Sequence, residues 1–160
     1  MLQVYTGNGK GKTTAAIGLA IRSLGAGHRV YMMQFMKSLA YAEQHILKDL
    51  ANMTLETTGK PFFIAEEGMV NEETRLAFGD DLVVFPHGKP PHDYLALMSA
   101  GMGHVTGLLR EQVFDLVILD EINVALSFGL IQREQMEELL NFVPVETEVV
   151  CTGRNAPSWL

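Results

Sequence analysis

Apolar residues in this chain fall into short, nearly unbroken runs, and longer segments between them carry apolar positions every third or fourth residue. Leu2-Gln3-Val4-Tyr5, Arg29 to Phe35 (R-V-Y-M-M-Q-F), Phe114 to Leu119 and Glu146 to Thr152 are runs of the first kind and read as strands. Strands that are apolar on both faces belong inside a parallel sheet. Thr13 to Leu24 is of the second kind. Ala15, Ala16, Ile17, Leu19, Ala20, Ile21 and Leu24 leave it apolar on most sides, and Gly25 and Gly27 stop it. Tyr41 to Leu50 reads as a further helix, Met53 to Thr57 as a short strand, and Gln132 to Phe142 as an amphipathic helix ending near Pro144. Tyr94 to Gln112 is helical in period but weakened by Gly101, Gly103 and Gly107. Positions 58–93 are irregular, with Pro61, Pro86, Pro90 and Pro91, and Asp81 to Phe85 reads as an edge strand or an inserted hairpin. Strands alternating with helices predict an α/β fold whose parallel sheet is covered on both faces. Ligands then gather at the carboxyl ends of the strands.

The turn between the first strand and the first helix carries the strongest chemical signal. Gly7-Asn8-Gly9-Lys10-Gly11-Lys12-Thr13-Thr14 lets several backbone N–H groups converge on a phosphate, to which the helix adds its positive end. Lys12 can reach between phosphates, and the hydroxyl of Thr13 or Thr14 can hold magnesium. The usual spacing, G-x-x-x-x-G-K-[ST], needs glycine at position 6, where this chain has Thr6. Its first glycine is Gly7, so the loop is one residue tighter, and it holds a second lysine, Lys10. The loop narrows the fold to a three-layer α/β/α P-loop NTPase (RecA-like) fold with a mainly parallel sheet.

Asp120 and Glu121 end a buried strand, where carboxylates are costly unless a cation or hydrogen bonds compensate them. They read as a Walker B end serving Mg²⁺ with Thr13, or as the cap of the segment that follows. Arg154, in Thr152-Gly153-Arg154-Asn155 after the last strand, either clamps a phosphate or is a surface arginine. Lys37, just past the second strand, opens on the same edge and is a solvated lysine on the plainer reading. His87 and His92 share no fixed face, His28, His45 and His104 are isolated, and Met32, Met33 and Met36 read as core filling.

Composition sets outer limits. With 160 residues, 48% of them apolar, the chain forms one domain with a real core. A net charge of −7 argues against nucleic acid as a partner. Cys151 reads as a small buried strand residue, not a nucleophile. The absence of a leader or of a run long enough to span a membrane leads us to expect a cytoplasmic protein.

Four stretches in this order carry a family resemblance: V-Y-T-G-N-G-K-G-K-T-T-A-A (Val4 to Ala16), Q-F-M-K (Gln34 to Lys37), D-L-V-I-L-D-E-I-N-V-A-L (Asp115 to Leu126) and T-G-R-N-A-P (Thr152 to Pro157). Together they resemble the ATP:corrinoid adenosyltransferases of cobalamin biosynthesis and salvage. The resemblance implies transfer of the 5′-deoxyadenosyl group of ATP to the Co(I) of a reduced corrinoid, with release of triphosphate. Gly7, Asn8, Gly9, Lys10, Gly11, Lys12, Thr13 and Thr14 would bind the nucleotide, with Lys10, Lys12 and Glu121 central to the chemistry. Thr13, Asp120 and Glu121 would serve Mg²⁺, and Arg154 would lie near the nucleotide. An electron-donor flavoprotein would supply Co(I), and the resemblance allows a homodimer. Where the family has G-x-G-F-x-W, this chain has Gly59-Lys60-Pro61-Phe62-Phe63, so Phe62 or Phe63 would cover the corrin face. Asp81 to Pro91 reads as inserted or diverged. Leu160 comes where the family goes on through a further acidic strand and tail, so that segment is expected to be missing, as is the N-terminal extension that some members fold over the corrinoid. The competing classes are a P-loop ATPase or nucleoside kinase, and a non-catalytic nucleotide or corrinoid carrier.

Overall fold

The computed structural model describes residues 1–38 and 41–160. Among these the main sheet has five strands: β1 (Leu2–Tyr5), β2 (Val30–Phe35), β3 (Met53–Thr58), β6 (Leu116–Asp120) and β7 (Glu148–Thr152). Their spatial order is β1-β7-β6-β2-β3, and every pairing is parallel. Helices α1 (Lys12–Gly25) and α2 (Ala42–Leu47) cover one face, where Ala16, Ala20 and Leu47 meet Val30, Met32, Ile118 and Val150. Helices α4 (His92–Glu111), α5 (Ile122–Ser127) and α6 (Arg133–Asn141) cover the other, where Met98, Val105, Ile122 and Met136 meet Tyr31, Phe35, Leu119 and Cys151. Because successive side chains on a strand point to opposite faces, each apolar run feeds both cores. This is the expected three-layer α/β arrangement.

The irregular stretch holds more structure than its sequence suggests. β4 (Phe63–Glu66) and β5 (Leu82–Phe85) form a separate two-stranded sheet and are joined by α3 (Glu72–Phe78). They run parallel, with Phe63 opposite Leu82 and Glu66 opposite Phe85. The expected strand at 81–85 therefore exists, but it is neither an edge of the main sheet nor half of a hairpin, since a parallel pair needs a crossover. Helix α2 is shorter than the expected 41–50 and gives way to turns before β3. The glycines of α4 do not break it. At Gly101 a Cβ would lie 3.0 Å from the Thr58 Cγ2, so the glycine lets α4 pack closely on β3.

Parallel pairing puts the carboxyl ends of β1, β7, β6 and β2 side by side on one edge, and the residues that follow them build the site. Met36 (φ 58°), Glu121 (φ 63°) and Asn155 (φ 54°) are non-glycine residues in the left-handed region there. Each such conformation costs about 1–2 kcal/mol, and strain of this kind collects where surrounding structure holds a site in place.

Candidate active site

The loop from Thr6 to Gly11 leaves β1 and enters α1 through Gly11, whose φ of 106° is accessible to glycine but not readily to other residues. The side chain of Lys12 folds back over the loop, and its Nζ donates to the carbonyls of Gly7 (2.7 Å) and Gly9 (2.6 Å). Asn8, Lys10 and Thr14 are exposed around the same turn. At position 6, the Thr6 hydroxyl accepts the amide of Ala156 at 3.3 Å and so ties the glycine-rich loop to the segment after β7. That bond gives threonine a purpose where the usual motif has glycine.

Thr13 and Asp120 meet directly. The Thr13 hydroxyl donates to Asp120 Oδ1 at 2.8 Å, as does that of Thr152 at 2.6 Å. Asp120 Oδ2 accepts Gln34 Nε2 at 3.0 Å and Lys37 Nζ at 2.7 Å. The carboxylate is fully buried, and four donors satisfy both of its oxygens. Gln34 is held in turn by Gln44 of α2, whose Nε2 donates to the Gln34 Oε1 at 2.6 Å and to the Ser38 carbonyl at 3.0 Å. Thr14 is exposed and takes no part in this cluster, so of the two hydroxyls it is that of Thr13 that reaches Asp120.

Glu121 points elsewhere. It lines an apolar chamber with Phe35, Met36, Lys37, Tyr41, Phe63 and Ile64. Burial, and then the neighbouring Asp120, push its carboxyl above the usual range, while Lys37, Lys12 and Arg154 pull the other way. Arg154 itself is exposed. The adjoining chamber shares Met36, Tyr41 and Phe63 and adds Ser38, Lys60, Pro61, Phe62 and Asp81. Phe62 is half-buried and tilted against Tyr94 at 6.2 Å, whereas Phe63 stays more exposed and packs on Phe78 at 4.3 Å. Both aromatics thus sit beside the carboxylate end of the site. The turn that brings them there depends on Gly59, where a Cβ would fall 2.5–2.7 Å from the backbone of Met36 and Lys37.

Sequence alone assigns no role to Gln34, Tyr41, Gln44 or Thr152, and it places Lys37 on this edge with a solvated lysine as the plainer reading, whereas the structure buries Lys37 against Asp120. The signal for Gln34 was a polar residue within an apolar strand, which must find a buried partner. Thr152 likewise ends a buried run. Cys151 is buried as expected, and burial pushes its thiol up to about 12.

A model of the family described as ATP:corrinoid adenosyltransferase BtuR/CobO/CobP matches residues 1–160. The chain belongs to this family. Corrinoid adenosyltransferase CobA of Salmonella typhimurium is 31% identical over 94% of this chain and 66% of its own length. Corrinoid adenosyltransferase of Escherichia coli is 30% identical over the same shares. An uncharacterized Nostoc protein, all2391, is 30% identical over 99% of this chain and 40% of its own length. The chain therefore spans 40–66% of these relatives. Among solved structures, the flagellar accessory protein FlaH of Methanocaldococcus jannaschii aligns at a TM-score of 0.47 and 13% identity, covering 99% of this chain and 63% of its own. Among the described residues, no helix is long and apolar enough to cross a membrane.

Proposed function

We propose that this protein transfers the 5′-deoxyadenosyl group of ATP to the Co(I) of a reduced corrinoid and releases triphosphate. The observation that carries this reading is the meeting, on one sheet edge, of a phosphate loop and an aromatic-walled chamber, with the Asp120–Glu121 pair between them. Membership in the family supports it, as do relatives named corrinoid adenosyltransferase.

The residues divide the work. Amides of Gly7 to Thr13, with Lys10 and Lys12, hold the polyphosphate. Lys12 need only leave the Gly7 and Gly9 carbonyls to meet phosphate oxygens. Thr13 and Asp120 offer a hydroxyl and a carboxylate 2.8 Å apart, an all-oxygen donor pair suited to Mg²⁺. Among the described residues no group of three His, Cys, Asp or Glu could hold an ion unaided, so phosphate oxygens would complete its shell. Bound there, Mg²⁺ would stabilise charge on the departing triphosphate. Arg154 stands at the rim for the nucleotide. Phe62, Phe63 and Tyr41 present flat apolar surface to the corrin and keep water from the reacting carbon. The substrate cobalt supplies the electron pair, the Co–C5′ bond forms as C5′–O breaks, and no protein base is needed. A flavoprotein donor would keep the cobalt reduced.

The test is an anaerobic reaction with Mg·ATP and a chemically reduced corrinoid, read by spectrum and by phosphate analysis. A light-sensitive organocobalt product together with intact triphosphate is expected. ADP would indicate a kinase or ATPase instead, and binding without any product would indicate a carrier.

A further inference from the structure

Lys37 is where the structure departs most from the sequence reading. Its side chain is 13% exposed, and its ammonium sits 2.7 Å from Asp120 Oδ2, deep in the cluster that the proposed function assigns to a divalent cation. Three other donors to the same carboxylate are neutral: Thr13, Thr152 and Gln34. Lys37 thus supplies the one full positive charge in direct contact with Asp120 among the described residues. With Glu121 next in the chain and half-buried, Asp120 without Lys37 would be left beside a second carboxylate with no cation in contact, which is costly.

We infer that Lys37 is a resident cation that occupies Asp120 while the site is free of metal, and that a divalent ion entering with ATP takes its place. Lys37 is then a positioning residue. It holds the Asp120 carboxylate in the orientation that faces Thr13, and it sets a threshold that metal must overcome. After exchange its ammonium has a second position in reach, since the Tyr41 ring centroid is already 5.2 Å away and Glu121 lines the same chamber. The sequence places the exchange well. Met36, in the left-handed region with φ 58°, turns the chain back at the end of β2, and the Gly59 backbone packs against the Met36–Lys37 peptide. Lys37 is therefore held over the carboxylate by backbone geometry, not by a long flexible approach. The inference rests on the nucleotide and metal reading above and goes beyond it in assigning a competitor for the metal.

The test is calorimetric and needs no turnover. ATP affinity is measured in EDTA and again at saturating Mg²⁺, and the ratio gives the factor by which metal tightens nucleotide binding. In Lys37→Met that factor should rise about tenfold over wild type, the scale of one charge-assisted hydrogen bond no longer displaced. Lys37→Arg, which keeps the charge and the bond, should leave the factor unchanged or lower it. A merely structural lysine predicts the opposite sign, because loosening Asp120 weakens metal binding. A factor that is unchanged or smaller in Lys37→Met overturns the exchange. Should that variant fail to fold, NMR of the lysine ammonium groups in the wild-type protein decides, with Lys37→Arg giving the assignment. The Lys37 signal should be slow to exchange without metal and should shift when Mg·ATP is added. A signal unmoved at saturating Mg·ATP sinks the proposal. Wild-type protein that binds no ATP would sink the nucleotide reading and this inference together, whereas normal ATP binding with an unaltered factor would sink the exchange alone.

Discussion

Lys12 and Cys151 show how differently two residues can depend on their surroundings. Lys12 spends its hydrogen bonds on two loop carbonyls at the surface, so replacing it costs the fold little. Lys12→Ala should weaken ATP binding roughly a hundredfold, the scale of a charged hydrogen bond to phosphate lost from the cradle. Its thermal midpoint should stay near that of wild type, and calorimetry beside a melting curve checks both. Normal ATP affinity in this variant would mean the loop holds no phosphate. Cys151 lies in β7 under the opposite constraint, because burial with no compensating charge raises its thiol to about 12. The sign of the linkage follows. The folded state holds the thiol proton after the unfolded chain has lost it, so this contribution is complete below the ordinary thiol range and is lost as pH rises through and beyond it. Cys151 should therefore resist alkylation in the native protein at mildly alkaline pH and react promptly in guanidinium chloride. Fast native labelling would show that β7 opens far more readily than its burial implies.

At the scale of elements, what could be read in the sequence and what could not divide along clear physical lines. β2, β6 and β7 announce themselves because each is buried on both faces and carries a nearly unbroken apolar run, and β1 and α1 because a short apolar run leads through the glycine-rich loop into a helical apolar pattern. The glycine-rich turn between β1 and α1 is legible because glycine spacing, lysine and threonine are local features. β4, α3 and α5 are not. They are four, seven and six residues long, too short for a period to emerge, and β4 and α3 sit among turn-forming residues. The hydrogen bonds to Asp120 are hidden for a different reason. Gln34 and Thr152 lie on strands, and Lys37 just past the end of one, that only the sheet order brings beside β6. Gly59 belongs with these non-local features, since its need for a missing Cβ exists only because β3 ends against the turn after β2. Gly59→Ala should force that turn outward and destabilise the protein by about 1–3 kcal/mol, lowering Tm by roughly 3–10 °C. It should also weaken corrinoid binding more than ATP binding, because the displaced segment carries Lys60 to Phe63 and not the phosphate loop. Equal losses for both ligands would place the effect in general unfolding.

The molecule as a whole is uneven in how firmly it is held. The five-stranded sheet is buried between two helical layers, and its central strands β2 and β6 have no exposed residue. The segment from β4 through α3 to β5 is built on a sheet of only two strands and leaves Phe63, Met69, Leu76, Phe78 and Val83 exposed. Two strands alone are marginal, so this segment should open at a lower free energy than the main sheet. Its inner edge, at Phe62 and Phe63, is also a wall of the proposed corrin chamber. The two ligands should then act on different parts of the chain. Mg·ATP at a hundred times its Kd should stabilise the native state by about 2.7 kcal/mol and slow exchange around the phosphate loop and α1. Corrinoid should slow amide exchange in β4 and β5, which the nucleotide leaves fast. Hydrogen exchange read by mass spectrometry on the free protein, with each ligand and with both, separates these effects. If β4 and β5 exchange as slowly as β2 in the free protein, the segment is no weaker than the sheet. If corrinoid leaves their exchange unchanged while binding tightly, Phe62 and Phe63 do not face it, and the chamber they line serves some other ligand.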